Sequence, residues 1–336
     1  MNNTHVQHPL KGCNVLFLSP SFFNYELEII KEMEALGARV LYYDERSVKS
    51  ALGKGLLKFC PRLVSYFSQN YYKQIINDVK GKDIDKIFVI KCEMLSERFL
   101  TNLKELFPTA KMYLYLFDSV KNIKGIDKKL SYFDKISSFD RVDCISRSFN
   151  FRPLFFSNRF KCEEVSPAYE YDLIFCGTIH SDRYKILKEL ELQINAYSLA
   201  YYKFYYLQAK FVYYYYKLLF KAFKSSKIEE FAFNKMSISE IASMQLKSKA
   251  IIDIQHPNQT GLTMRTIETI ALNRKIITTN GDIVNYDFYN PNNILIINRN
   301  TPKLDLAFLN SPYEPLPSII LERYTIRQWV LDILFI

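Results

Sequence analysis

The chain has 336 residues, 49% hydrophobic and 24% charged, which is enough apolar material for two domains of ordinary size. Its 45 Lys and Arg against 35 Asp and Glu give a formal net charge of +10, suited to sugar nucleotides, nucleic acid or acidic lipid headgroups. No zinc-finger or RNA-recognition signature is present, so nucleic acid ranks last, and no apolar run is long enough for a membrane-spanning helix.

The first half reads as alternating strands and helices. Asn14–Ser19 (NVLFLS) is a short apolar run suited to a strand covered on both faces. Residues Tyr25–Leu36 have helical spacing, Gly37 stops them, and Ala38–Tyr43 (ARVLYY) is the next strand. The pattern recurs with a strand at Lys86–Ile90, a helix at Ser96–Leu106, a stop at Pro108 and a strand at Lys111–Phe117. Two more short apolar segments lie between Phe133 and Ile145, and periodicity then lapses from Phe151 to Pro167, as in a linker.

A second series opens at Tyr171–Cys176 (YDLIFC), followed by Gly177. From Thr178 to Gln255 there is no Gly and no Pro, which predicts a mostly helical stretch. Ala250–Ile254 reads as a strand, Thr263–Leu272 as a helix, and Lys275–Thr279 and Asn293–Ile297 as strands. Leu321–Ile336, which holds the sole Trp329, reads as a closing amphipathic helix. The expected fold class is α/β, with two Rossmann-like domains over 1–165 and 166–320 and a terminal helix over 321–336.

The six cysteines form no CxxC pair, and Cys92 and Cys176 sit in or beside strand-like runs. Reduced thiols in a cytoplasmic protein are expected, as is the lack of a signal peptide in the polar first twelve residues. Asp83-Ile84-Asp85 has the DxD form of metal-binding loops, yet it precedes a strand and reads as a turn. His5 and His8 lie in a polar tail with no partner cluster. Neither metal nor cofactor is expected.

The segment richest in chemistry is 248–280, a strand, a polar loop, a helix and a strand. His256, Gln259, Thr260 and Gly261 precede the helix, whose free backbone N–H groups make a natural phosphate seat. Arg265 falls in the first turn and suits a diphosphate. Glu268, one turn on, could accept hydrogen bonds from both hydroxyls of a ribose. The bland alternative is a helix-dipole contact for Glu268 and a solvated Arg265.

The run GLTMRTIETIALNRKIITTN from Gly261 to Asn280 resembles the donor-binding segment of GT-B glycosyltransferases, above all the CgeB-like group and the transferases of capsule, O-antigen and lipopolysaccharide synthesis. The resemblance implies that Glu268 holds the nucleotide ribose. Many members carry a second Glu eight residues earlier, where this chain has Thr260, so sugar contacts do not carry over to that position. It further implies that YDLIFCGTIHSDR opens the donor domain, with Gly177 admitting the donor and His180 and Arg183 facing phosphates. KIFVIKCE and KMYLYLFDS would be acceptor-domain strands meeting the cleft.

A general base is sought at Glu93 and Asp118, each just past a strand end, with strand-end or capping carboxylates as the simpler reading. Lys91 could offset phosphate charge. The stretch Tyr197–Lys224 holds nine Tyr, and Lys203, Lys210, Lys217 and Lys224 recur every seven residues, which predicts one helical face. Such a helix could rest in an anionic headgroup layer; the reading taken here is the plainer one, lysines in water and aromatics packed on the domain.

The expected activity is sugar transfer from a nucleotide sugar to a growing, lipid-linked surface polysaccharide. Two other classes stay open. One is a non-catalytic membrane-peripheral scaffold. The other is an epimerase-type Rossmann enzyme, which would want GxGxxG where this chain has SPSFFN.

Overall fold

The computed structural model describes residues 8–22, 24–47, 61–161 and 169–335; His5, Cys60, Cys162 and Pro167 lie outside them. The chain divides into two compact units, Met1–Pro153 with Ile326–Ile336, and Leu154–Thr325. The division falls twelve residues before the expected boundary at 165, and the closing helix belongs to the first unit. Residues that read as linker are partly core of the second unit, where Phe155, Phe156 and Phe160 are buried.

In the first unit, β1 (Asn14–Leu18), β2 (Arg39–Tyr43), β3 (Lys86–Ile90), β4 (Lys111–Leu116), β5 (Lys135–Ser138) and β6 (Asn150–Phe151) pair in parallel, in the order β2-β1-β3-β4-β5-β6. Side chains alternate between faces along each strand. Leu16, Leu18, Ile87, Val89, Leu114 and Leu116 join a core completed by Ile75, Val79, Phe99, Leu100 and Leu103 of the helices Pro61–Val79 and Glu97–Leu106. On the opposite side Phe17 stacks on Phe88 at 5.2 Å, and Trp329 meets Phe88 at 5.9 Å and Tyr115 at 4.7 Å. Trp329 lies in the helix Ile326–Leu334, whose Asp332 carboxylate pairs with Arg152. The helix Tyr25–Ala35 ends where Gly37 adopts φ 98°; a Cβ there would also lie 2.9 Å from the Lys11 backbone, so only glycine fits.

In the second unit, β7 (Tyr171–Thr178), β8 (Tyr201–Tyr206), β9 (Phe231–Ala232), β10 (Ser248–Asp253), β11 (Lys275–Thr278) and β12 (Ile294–Ile296) form another parallel sheet, ordered β12-β11-β10-β7-β8-β9. Leu173, Phe175, Ala250, Ile252 and Ile277 pack beneath the helix Arg183–Ala196 through Leu187, Leu190 and Ile194.

Two sequence expectations are corrected. The Gly- and Pro-free span is not mostly helical: it contains β8 and β9 as well as the helices Arg183–Ala196, Lys210–Leu219 and Ile238–Leu246. YYKFYY is dense in aromatics, which favour a pleated, half-buried surface, and an absence of breakers does not distinguish helix from strand. The four lysines spaced by seven therefore do not line one helix: Lys203 lies on β8 and pairs with Glu191 at 2.8 Å, Lys210 and Lys217 lie on the helix Lys210–Leu219, and Lys224 follows it. The closing helix is two, Ser318–Arg323 and Ile326–Leu334.

Trp329→Ala should cost roughly 3–5 kcal/mol by emptying a fully buried site. Urea unfolding followed by far-UV circular dichroism checks this; an unchanged midpoint would mean that the indole contributes nothing to the first unit.

Candidate functional site

The second sheet has the strand order of doubly wound nucleotide-binding folds. The chain runs outward from β7 through β8 to β9, returns to β10 on the other side of β7, and runs outward again through β11 to β12. The connections diverge between β7 and β10, and in such sheets ligands bind beyond the carboxyl ends of the strands at that point. Two loops leave there, 179–182 after β7 and 254–263 after β10.

The two strand ends are tied together by one carboxylate. Asp253, 1% exposed at the end of β10, accepts from Arg265 Nη1 at 3.0 Å, from Thr263 Oγ1 at 2.8 Å and from the Thr266 hydroxyl. Arg265 Nη2 donates to the Cys176 carbonyl of β7 at 2.7 Å, and its guanidinium lies 5.2 Å from the centre of the Phe175 ring. Thr263 also caps the helix Met264–Ala271, accepting from the Thr266 N–H at 3.3 Å. The helix start is thereby fixed against both strands. Among the described residues the N–H groups of Met264 and Arg265 meet no acceptor, so two first-turn donors remain for an anion.

Gly177 stands in a different place from the one expected. A Cβ there would lie 2.4 Å from Arg265 Nη2 and 3.3 Å from Phe175 Cζ. Its missing side chain makes room for the Arg265 guanidinium, and whatever it admits is first of all a side chain of the same domain. Arg183, read as facing phosphate, is buried: its Nε donates to the Ile254 carbonyl at 2.9 Å, Nη2 to the same oxygen, and Nη1 to the Thr178 carbonyl at 2.5 Å. It is a positioning residue that locks the two loops. Burial first, then the charge of Arg265, pulls its guanidinium down to about 9.

His180 and His256 do come together, with ring centres 5.5 Å apart. Burial, followed by the charge of Arg183, depresses the His180 imidazole to about 3, so it is neutral at physiological pH. His256 Nδ1 accepts from the Asn258 N–H at 3.2 Å, which leaves the proton on Nε2. Gln259 Nε2 donates to the Gly261 carbonyl at 3.2 Å, and Asn280 Nδ2 to the Thr260 carbonyl at 2.9 Å. Gly261 is buried, and the loop around it is pinned by side chains rather than left open. Glu268 is 5% exposed, one turn past Arg265 on the buried side of the helix.

Sequence reasoning missed Asp253 and Arg299. Asp253 was signalled: a lone acid inside the apolar run AIIDI must find a partner once buried. Arg299 was not. It follows β12 and clamps Asp182 through both Nε and Nη2 at 2.7 Å, then donates to the Gln255 carbonyl at 2.9 Å. Arg183, Arg265 and Arg299 thus face Asp182 and Asp253 at this edge, and Glu268 adds a third carboxylate one turn along the helix.

The carboxyl edge of the first sheet carries the other candidates. Lys91 and Cys92, just after β3, take left-handed φ values of 72° and 57°, strained for non-glycine residues. Buried Lys129 holds this turn by donating to the Cys92 and Glu93 carbonyls at 2.9 and 3.0 Å. Glu93 and Asp118 are brought to one ammonium, each 3.0 Å from Lys91 Nζ. Burial opposes charge on Lys91, but Asp118 and Glu93 outweigh it and raise its pKa. Glu45, missed in the sequence, is fully buried here, and neither of its oxygens meets hydrogen-bond geometry among the described residues. Burial pushes its carboxyl up to about 8, against Lys91, the Glu93 backbone N–H and Lys129.

Among the described residues no group of three or more His, Cys, Asp or Glu is placed to hold a metal ion. Asp85 of the DxD run accepts from the Asn14 N–H at 2.7 Å, at the amino end of β3. Cys13, Cys92, Cys144 and Cys176 are free thiols.

Gly177→Ala should displace the Arg265 guanidinium from the Cys176 carbonyl and destabilise the second unit by roughly 1–3 kcal/mol. Urea titration is the check, and wild-type stability would show that the guanidinium yields without loss. The Glu45 carboxyl keeps its proton to about pH 8 when folded but releases it near 4.5 when unfolded. The folded state therefore binds more protons between those values, and stability falls as pH rises across that window. Glu45→Gln should flatten this slope in denaturation curves taken across the window; an unchanged slope would mean that the folded chain ionises Glu45 freely.

No family model matches the chain, and no curated protein matches it in sequence. Solved structures do match in fold. Anabaena Alr3699/HepE in complex with UDP-glucose is 11% identical, with 95% of this chain and 98% of that one covered and a TM-score of 0.60. An Escherichia coli structure described as trehalose-6-phosphate bound with UDP-2-fluoro glucose gives 9% identity, 95% and 98% coverage and 0.61. Methanocaldococcus jannaschii UDP-GlcNAc 2-epimerase, in complex with UDP-GlcNAc and UDP, gives 11%, 96%, 98% and 0.53. With two parallel six-stranded sheets, each in its own α/β unit, and these neighbours along nearly its whole length, the chain has the GT-B fold.

Proposed function

We propose that the chain is a glycosyltransferase that moves a sugar from a nucleotide-sugar donor onto a growing surface polysaccharide such as O-antigen or capsule, in the manner of the CgeB-like and lipopolysaccharide-synthesis transferases. The observation that carries the reading is the helix start at Met264. It lies at the divergence point of the second sheet, with two unpaired N–H groups, Arg265 in its first turn and Glu268 one turn further on. A pyrophosphate would take the N–H groups, and Glu268 would meet the ribose after a small outward shift of its side chain. Neighbours of the same fold hold UDP-sugars, which supports a nucleotide sugar as partner.

In this reading Arg265 acts through charge and through the position it gives the helix, and Arg183, Arg299 and Gly177 keep the site in shape. His180 offers a neutral imidazole beside the phosphates, with the His256 ring next to it and Gln259, Thr260 and Gly261 in the fixed loop that leads to the helix start. Glu93 or Asp118 would take the proton of an acceptor hydroxyl in an inverting reaction, with Lys91 governing which one is free to do so. A lipid-linked acceptor would bring the enzyme to the inner face of the cell membrane. Because a 2-epimerase shares the fold, interconversion of the donor sugar is the second outcome to look for.

Glu268→Gln keeps the shape of the side chain and should weaken nucleotide diphosphate binding at least about tenfold, the loss of one charge-assisted contact. Calorimetric titration with UDP, GDP, CDP and TDP measures it. Undiminished affinity would remove Glu268 from the site. Chromatography of a reaction with nucleotide sugars separates transfer, which releases free nucleotide, from epimerisation, which does not.

A further inference from the structure

The helix Lys210–Leu219 is apolar on both sides. Tyr213 is buried, and Val212 and Tyr216 pack against the domain core with Phe223. On the opposite side Phe211, Tyr214, Tyr215 and Leu218 recur at i, i+3, i+4 and i+7, and they are 75%, 61%, 57% and 78% exposed. Leu219, the last residue of the helix, and Phe220 after it prolong this strip. The sequence expectation that the aromatics pack on the domain holds for one side only. Isolated exposed apolar residues are ordinary, but a continuous strip of six calls for an occupant.

Charge identifies the occupant. Between Glu191 and Glu229 the chain has six lysines and no Asp or Glu. Lys203 is paired with Glu191, and Lys217 donates to the Tyr213 hydroxyl and the Ser226 carbonyl. Lys210, Lys221, Lys224 and Lys227 are exposed and form no ion pair among the described residues. Lys210 opens the helix and the other three follow its end, so cations frame the apolar strip. A second copy docked on the same strip would set lysines against lysines. An anionic bilayer offers an apolar layer to the side chains and phosphates to the lysines at once.

We infer that the helix Lys210–Leu219 and the segment 220–227 form a docking surface for an anionic phospholipid bilayer. Phe211, Leu218 and Leu219 enter the headgroup–acyl boundary, Tyr214 and Tyr215 keep their hydroxyls at headgroup depth, and the four free lysines meet lipid phosphates. The helix starts four residues past β8, on the carboxyl edge of the sheet that also carries the Met264 helix start, so docking holds that edge near the lipid surface. The inference stands apart from the transfer reading and needs no nucleotide.

Co-sedimentation of the full chain with vesicles of phosphatidylglycerol and phosphatidylcholine in equal parts tests it. Binding at least about tenfold tighter than to pure phosphatidylcholine is expected, falling as salt shortens the screening length. Phe211→Gln with Leu218→Gln should lose binding at least about tenfold, while Lys210→Gln, Lys221→Gln and Lys224→Gln together should abolish the preference for anionic vesicles. All five positions are exposed, and unchanged circular dichroism confirms the fold of each variant. Absent vesicle binding, or equal binding by the variants, overturns the inference. So does light scattering that shows a wild-type dimer made monomeric by Leu218→Gln, which would assign the strip to a second copy. Vesicle binding without sugar turnover would sink the transfer reading alone, and turnover without vesicle binding would sink this one alone.

Discussion

A single buried carboxylate organises the second unit. Asp253 is nearly inaccessible and takes hydrogen bonds from a guanidinium and two hydroxyls. A charge this deep costs several kcal/mol in desolvation, which its partners repay only with good geometry. Its contribution is better described as placement than as net stability. Through Arg265 it ties the end of β7 to the end of β10, and through Thr263 it sets the first turn of the next helix. The direction in which that helix start faces follows from these bonds, and with it the position of every group the site offers to a ligand.

The edges of the two sheets are furnished differently. At the second, three arginines stand among as many acids, and most of their donors are spent on backbone carbonyls and aspartates of the same domain. That expenditure gives rigidity, and it presents fixed guanidinium groups and helix N–H groups to an anion instead of a set of mobile fingers. At the first, the furnishing is mixed: one lysine shared by two partly exposed carboxylates, above a buried acid that stays protonated at neutral pH. Two strained residues in succession hold Lys91 in this arrangement. Strain kept at a strand end, with a second lysine to hold it, is more readily understood as the maintenance of a shape than as an accident of the chain.

Much of the strand pattern was legible because β1, β3, β7, β10 and β11 are short apolar runs covered on both faces, the plainest signal a parallel sheet leaves. The helix starts at Ser96 and Thr263 were legible through their capping residues. The tyrosine-rich span was not, because in this chain Tyr fills both β8 and the helix that follows, and no Gly or Pro marks the turn between them. The candidate site was legible as a segment and illegible as a network. Glu268 and Arg265 could be picked from their spacing, yet nothing in that spacing showed that Arg265 would turn back onto Cys176, that Gly177 would be empty for its sake, or that Arg299, some 120 residues downstream of Asp182, would clamp it. Contacts between distant strands are set by sheet order, and a one-dimensional pattern does not carry sheet order.

The first unit is discontinuous, and this bears on how the protein is made. Its strands are complete by Phe151, but the part of that face at Phe88 and Tyr115, which Trp329 covers beside the helix Tyr25–Ala35, waits until residues 326–334 arrive. Those residues leave the ribosome only after the entire second unit. A nascent chain therefore carries an unlidded aromatic surface through roughly 170 residues of further synthesis, the circumstance in which collapsed intermediates meet chaperones or one another. The earlier-translated domain is thus the later one to mature, and its completion certifies that translation has passed the whole of its neighbour.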